Sequence, residues 1–203
     1  TIKKALILAV VANFLGVLIM TLISSKVAET VFNIVNFGDD VHTDMIALSS
    51  ALIGIVLWSI ISWIFGIPTS QSHALLSGIS GAAIALSGNF SGVNFEEWKK
   101  VLYGLFLVNL LAFILGLVIT KLIEKICKNM DRRKTNKFFR KAQIVIATAM
   151  CFMNGAQDGQ KFIAILLLGV SMSSGLTLDT NFAIPIWLIF YCSIIMATGT
   201  IIG

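Results

Sequence analysis

Two short polar stretches interrupt an otherwise apolar chain, and both are rich in side chains that bind ions. The first is PTSQSH (68–73) and the second is NGAQDGQK (154–161). In the first stretch, the hydroxyl groups of Thr69, Ser70 and Ser72 can donate hydrogen bonds to an oxyanion without adding a fixed charge. In the second stretch, a carboxylate and two amide oxygens are hard ligands that suit a cation such as Na⁺. The two stretches therefore predict an anion site and a cation site.

Asp158 carries the strongest functional signal in the second stretch. The other nine acidic residues lie in segments that flank or connect the apolar runs, whereas Asp158 has apolar sequence on both sides. An ionisable side chain inside a membrane is costly and marks a functional site by default, here for Na⁺ or for a proton. Asn154 and Gln157 supply the amide oxygens, and Lys161 either pairs with Asp158 or meets the anion. The structural alternative is an ion pair at a helix end near the membrane surface.

The first stretch is predicted to open a helix. Pro68 fits the first helical turn, where its missing N–H costs nothing. Thr69 and Ser70 then lie among free N–H groups at the positive end of the helix dipole, which favours an anion. The alternative is that these hydroxyls only cap the helix. His73 either moves a proton or bonds the substrate, or else packs to orient the hairpin.

The elements that must position these residues are membrane helices. The 203 residues are 57% hydrophobic and 12% charged, with a mean hydropathy of +0.93. Each of four apolar runs is long enough to cross a hydrocarbon core of about 30 Å: 5–25, 45–67, 101–124 and 182–203. We therefore expect an all-α integral membrane protein, a polytopic helical bundle.

Three further apolar runs are too short to cross as helices, and each abuts one of the polar stretches. They are 74–88, 142–153 and 162–172. Short apolar segments interrupted by Gly or Pro are typical of the binding site of a secondary transporter, where unwound backbone lines a cavity. The sequence thus predicts re-entrant or broken helix hairpins at 68–73 and at 154–161.

The basic residues predict membrane topology. Nine of the fifteen Lys and Arg residues fall between Lys121 and Lys141. The positive-inside rule makes 125–141 a cytoplasmic basic loop that also contacts anionic headgroups, which argues against a nucleic-acid surface. The three cysteines are scattered, without the spacing of a disulfide framework or a zinc site.

A possible enzyme motif, GISG (78–81), is similar to the serine site of rhomboid-type intramembrane proteases. That chemistry needs a general base within reach of the serine, on a later helix in those proteases. The two histidines, His42 and His73, both precede the motif. Gly78, Gly81 and Ala85 therefore predict a face for close helix packing, and we expect no enzyme.

The ordered set of motifs resembles the inorganic phosphate transporter (PiT) family over nearly the whole chain. PTSQSH is similar to the P-x-S-x-[ST]-H hairpin motif of that family, and NGAQDGQK is similar to the bacterial form of its G-[AS]-[NQ]-D signature. Three shorter stretches also look familial: NFLGVL (13–18), KVAET (26–30) and AQI (142–144).

The resemblance implies a multi-pass secondary transporter in the plasma membrane, which moves inorganic phosphate with Na⁺ or H⁺ and needs no other cofactor. The phosphate ligands would be Thr69, Ser70, Ser72, Gln157 and Lys161. The coupling residues would be Asp158, Asn154 and His73, with Na⁺ at Asp158. The alternatives are transport of another oxyanion such as sulfate or of a metal–phosphate complex, and then an intramembrane enzyme or a pore.

The family carries each signature twice, in inverted-topology repeats, and this chain holds one copy of each. Residues 1–203 are therefore expected to form a single, incomplete transporter domain that lacks the first GAND motif and the second serine motif. Asn154 stands where many relatives have His, and Asn13 where many eukaryotic relatives have Glu, which leaves the coupling ion open. Small residues on helix faces are compatible with a homodimer.

Overall fold

The computed structural model describes residues 2–38, 40–174 and 184–202, apart from the side chains of Lys134 and Ser174. Within these ranges the fold is all-α, and the backbone pairing outside helices includes one isolated bridge between Val35 and Val93. The helices are α1 (Ile2–Ile23), α2 (Lys26–Phe32), α3 (Val41–Phe65), α4 (Gln71–Ser87), a 3₁₀ turn (Phe90–Gly92), α5 (Phe95–Cys127), α6 (Arg132–Ser174) and α7 (Ile186–Ile202).

Three helices, α1, α3 and α5, are long and apolar enough to cross a membrane. This confirms the predicted all-α membrane protein. The apolar α7 has 17 residues, and part of the predicted run 182–203 lies outside the described residues. None of the residues of α5 is buried, although Trp98 and Val101 near its start pack against the core.

The predicted break at 154–161 is wrong, because α6 is continuous for 43 residues through this stretch. The runs 142–153 and 162–172 are therefore two parts of one helix. Each glycine in a helix interior costs about 1 kcal/mol relative to alanine. That cost is offset here because Gly155 and Gly159 let another helix approach closely, so the glycines mark a packing face and not an unwound turn.

The predicted interruption at 68–73 is present. Gly66 ends α3 in the left-handed conformation, with φ of 65°, which glycine adopts without a steric penalty. Ser70 is the N-cap of α4, and its hydroxyl oxygen accepts a hydrogen bond from the backbone N–H of His73 at 3.4 Å. Pro68 thus precedes the cap, so its predicted place in the first helical turn is wrong. At 17 residues, about 25 Å, α4 is shorter than the hydrocarbon core.

Helices α1 and α6 touch backbone to backbone. A Cβ added at Gly155 would lie 2.3 Å from the carbonyl oxygen of Asn13, and one at Gly159 would lie 2.4 Å from the side chain of Val17. From α1, Gly16 approaches α6 in the same way. Asn13 meets Gly155 and Val17 meets Gly159, so the two helices run in the same direction.

The other end of the α3–α4 hairpin is fixed by its two connections. The backbone N–H of Asn36 donates to the carbonyl of Gly92 at 2.9 Å, and that of Asn94 donates to Ile34 at 2.9 Å. From the start of α5, the indole N–H of Trp98 donates to the hydroxyl of Ser80 at 3.0 Å. The hairpin is therefore held at its base, whereas its tip at 66–70 is exposed.

The predicted basic loop at 125–141 is largely helical. Helix α5 continues to Cys127 and α6 begins at Arg132, so only 128–131 lie between the helices. Because lysine and arginine are good helix formers, the helical backbone hydrogen bonding of α5 and α6 continues into the basic sequence.

We predict that Gly155→Ala destabilises the protein, because the added methyl group would separate α1 from α6. Overpacking of this kind costs about 1–3 kcal/mol. The matched control is Gly116→Ala in α5, where an added Cβ meets nothing within 4 Å. The control should be neutral or slightly stabilising, since alanine is the better helix former. The thermal unfolding midpoint of each purified variant in detergent measures the difference, and equal midpoints would contradict the packing role.

Candidate ion-binding site

A polar cluster lies where α4 and α6 meet. The ammonium of Lys161 is 2.8 Å from Oδ1 of Asp158, and it also donates a hydrogen bond to the hydroxyl of Ser72. The Ser72 hydroxyl in turn lies 3.5 Å from the same Asp158 oxygen. The side chains of Lys161 and Asp158 are 16% and 30% exposed, so the pair is neither dry nor fully solvated.

The cluster is assembled from one continuous helix and one helix start. Asp158 and Lys161 are three residues apart on α6, which places them on one face. Ser72 is in the first turn of α4, just after the hairpin tip. Gly155 and Gly159 lie on the neighbouring face of α6 and pack on α1. The same short stretch of α6 therefore carries both the helix-packing face and the ion pair.

A second interruption of the chain, between α1 and α2, also contacts this part of α6. The side-chain amide of Gln160 donates to the backbone carbonyl of Ser24 at 2.7 Å, where α1 has just ended. Gln160 is only 3% exposed, and its Oε1 has no hydrogen-bond partner among the described residues. The sequence reasoning assigned Gln160 no role of its own, and the only signal was its place in the polar stretch.

The cluster opens into a cavity of about 530 Å³, a volume typical of small-ligand pockets. Four of the predicted site residues line it, namely Ser72, His73, Gln157 and Lys161. Two lysines that the sequence reasoning did not select, Lys26 and Lys100, line it as well. Three lysines therefore line one space, and two of them are paired with carboxylates: Lys100 with Glu97 at 2.5 Å and Lys161 with Asp158 at 2.8 Å.

The structure does not bring Thr69 and Ser70 into this cavity. Both line a separate cavity of about 890 Å³ between α3 and α4. The Thr69 hydroxyl oxygen accepts from the indole N–H of Trp58 at 3.1 Å, and Ser70 serves as the helix cap described above. His73 lines both cavities, so the first turn of α4 is the wall between them.

Asn154 and Asn13 occupy different environments. Asn154 is exposed on α6, one helical turn before Asp158. Asn13 is 6% exposed on α1, and its amide donates to the hydroxyl of Thr200 on α7 at 3.0 Å. Asn13 therefore ties α1 to α7 beside the glycine contact, whereas Asn154 has its side chain free to meet solvent or an ion.

The oxygen ligands of the cluster suit a small monovalent cation or a proton. Asp158 is its one carboxylate, with the Ser72 hydroxyl beside it. The described residues contain no group of three or more His, Cys, Asp or Glu side chains that could hold a metal ion. A site with one carboxylate lacks the charge of a dedicated Ca²⁺ site.

Comparison with known proteins gives a consistent family signal. A family model described as "Phosphate transporter family" matches residues 1–134 and 127–203. A probable low-affinity inorganic phosphate transporter of Bacillus subtilis (strain 168) is 34% identical over 201 residues, which are 99% of this chain and 58% of that protein. A protein of the same description from Mycobacterium leprae (strain TN) is 30% identical over 204 residues, 99% of this chain and 47% of that protein.

A third relative is more distant. The low-affinity inorganic phosphate transporter of Buchnera aphidicola subsp. Baizongia pistaciae is 25% identical over 191 residues, 82% of this chain and 38% of that protein. The chain thus spans about half the length of the curated relatives it matches. No solved structure matches it.

We predict that Gln160→Leu lowers stability while Gln157→Leu does not. Gln160→Leu removes a buried hydrogen bond and leaves the Ser24 carbonyl without this donor, a loss that costs about 1–3 kcal/mol of folding free energy. The second change has the same chemistry at an exposed position three residues away. Thermal unfolding midpoints of the two purified variants make the comparison. Equal midpoints would show that the Gln160–Ser24 bond does not hold the α1–α2 break in place.

Proposed function

We propose that this chain carries inorganic phosphate across a membrane together with a coupling cation. The chain belongs to the phosphate transporter family. The relatives are named as phosphate transporters, which supports the substrate. The observation that carries the mechanism is the cluster of Ser72, Asp158 and Lys161 at the edge of a lysine-lined cavity. Such a site binds and releases ions, and we propose no enzymatic reaction for it.

Phosphate would bind at the cavity side of the cluster. Lys161 supplies a positive charge, which lysine commonly provides to phosphate. Ser72 and Gln157 supply neutral donors that add directionality without fixed charge. Lys26 also lines the cavity and would raise its positive potential, whereas the charge of Lys100 is offset by its ion pair with Glu97.

The ion pair supplies a physical reason for coupling. An anion that pairs with the ammonium of Lys161 leaves Asp158 without its partner. A partly buried charge without a partner is costly. A cation at Asp158 removes that cost and releases Lys161 to the anion. Each ion therefore favours binding of the other, which is a reciprocal coupling of the two binding free energies. Na⁺ and H⁺ both satisfy this scheme, and Asn154 lies one helical turn away as a further oxygen donor.

Thr69 and Ser70 would act on the other side of the hairpin tip. Alternating access in such transporters moves one bundle of helices against another around a fixed site. The first turn of α4 separates the two cavities, and His73 lines both. We propose that Thr69 and Ser70 contact phosphate in a different state of the cycle from Ser72, with His73 donating to the ion as it passes.

The orientation of the chain in the membrane follows from the positions of its basic residues. Because α1 and α6 run in the same direction, the basic start of α1 (Lys3 and Lys4) lies at the same end as the basic start of α6 (132–141). The positive-inside rule assigns that end to the cytoplasm. We propose the plasma membrane as the location.

Phosphate uptake should depend on the cluster. We predict that Ser72→Ala and Asp158→Asn each lower the initial rate of radiolabelled phosphate uptake by at least about tenfold, since hydrogen bonds to charged groups contribute about 1.5–3 kcal/mol. Ser173→Ala is the matched control, because that hydroxyl bonds only the backbone of its own helix, at Val170. Uptake is measured with the intact protein in cells that lack other phosphate transporters, at matched expression. Wild-type rates in both cluster variants would contradict the assigned roles.

The coupling ion is identified by ion replacement. If Na⁺ is the partner, replacing it with choline should abolish uptake at two pH values. If H⁺ is the partner, uptake should survive choline and rise at the lower pH. A rate that responds to neither change would contradict coupled transport.

The substrate is tested by competition. Excess sulfate should leave phosphate uptake unchanged. Inhibition by sulfate would instead favour another oxyanion as the substrate, and a requirement for Mg²⁺ would favour a metal–phosphate complex.

A further inference from the structure

A third cavity lies between the N-terminal halves of α1 and α6, and none of its lining residues belongs to the ion site. Its volume is about 600 Å³, and its two ends differ in chemistry. At one end are Lys4 and Arg140, with Gln143 beside them. The remainder is lined by small and apolar side chains, with one hydroxyl: Ala5, Leu8, Ala9, Ile144, Ala147, Thr148 and Cys151.

The two basic residues come from different helices but share one end of the groove. Helices α1 and α6 run in the same direction, so Lys4 in the first turns of α1 lies level with Arg140 near the start of α6. This end is also the one that the positive-inside rule assigns to the cytoplasm. The charged end therefore belongs at the headgroup level, and the apolar remainder runs into the hydrocarbon.

The length of the groove matches one leaflet. From Arg140 to Cys151 the rise along α6 is about 17 Å at 1.5 Å per residue. Half of a hydrocarbon core of about 30 Å is about 15 Å. The alanines keep the groove open between the helices, and its apolar walls are accessible, with Leu8 37% and Ile144 56% exposed.

We propose that this groove binds one anionic phospholipid. The headgroup phosphate would lie between Lys4 and Arg140, and an acyl chain would lie along Leu8, Ile144 and Ala147. The planar guanidinium of arginine matches phosphate oxygens in pairs, and the lysine adds a second charge. A zwitterionic lipid is a poorer fit, because its ammonium group would be repelled by the two basic side chains. Inorganic phosphate would gain nothing from the apolar walls.

Basic pockets between membrane helices on the cytoplasmic side are a recognised way of binding anionic lipids. In this chain the lipid would touch α1 and α6 together, which are the two helices that meet at Gly16 and Gly155. Because a ligand that binds only the folded state stabilises it by mass action, the lipid should also strengthen the helix pair that carries Asp158.

The test is lipid binding by the intact purified protein, measured by native mass spectrometry with phosphatidylglycerol or phosphatidylcholine of equal chain length. The wild type should retain one phosphatidylglycerol in preference to phosphatidylcholine, and excess inorganic phosphate should not displace it. The double variant Lys4→Gln/Arg140→Gln should retain it about tenfold less well. Ala147→Trp fills the groove without changing the charge and should lose it as well.

The matched control is Lys125→Gln/Lys128→Gln, which removes two positive charges from the same basic region but outside the groove. Its lipid retention should equal that of the wild type. Equal loss in the control would overturn the proposal in favour of diffuse attraction to the basic surface. Retention in Ala147→Trp would overturn it by showing that the groove is not used. A wild type without preference for phosphatidylglycerol would show that the groove is closed or filled by protein.

Discussion

The backbone contact between α1 and α6 is the constraint on which the rest of the site depends. At Gly16, Gly155 and Gly159 the two helices approach so closely that a methyl group on either side would collide with the other. In lipid, helices gain little from apolar burial against one another, so close packing through small residues is what fixes their relative position. The contact sets the position of the residues that follow on α6, including Asp158 and Lys161.

Because the contact is made by small residues of the signature itself, packing and ion binding are not independent. About two turns of α6 present glycines to α1 and a carboxylate and an ammonium towards the hairpin. A small displacement at the glycine face moves the charged face by the same amount. This gives a physical reason for a glycine-rich polar stretch inside a continuous helix, where glycine is otherwise unfavourable.

Sequence reasoning predicted the helical membrane class, the interruption at 68–73 and the membership of Ser72, Asp158 and Lys161 in the candidate site. It failed at 154–161, where polarity and glycine content suggested unwound backbone. Polar side chains at that depth need a partner or a cavity, but the backbone needs only its own helix. The sequence also could not separate Thr69 and Ser70 from Ser72, because the direction in which each faces depends on the turn between α3 and α4. Gln160 was missed because its partner, the Ser24 carbonyl, is a backbone atom on another helix.

The partial exposure of the Asp158–Lys161 pair is the property that fits it for reversible binding. A fully dry ion pair would be expensive to separate, since either charge alone would be left in a medium of low dielectric constant. A fully solvated pair would contribute little, because exposed salt bridges are weak. At 30% and 16% exposure, water reaches the two charges, so the pair can open at moderate cost when ions replace each partner. The Ser72 hydroxyl accepts a hydrogen bond from Lys161 and lies 3.5 Å from Asp158, so it contacts both members of the pair. In the proposed transport scheme, the ion pair would occupy the site when no ions are bound, and its opening would link the arrival of the anion to the arrival of the cation.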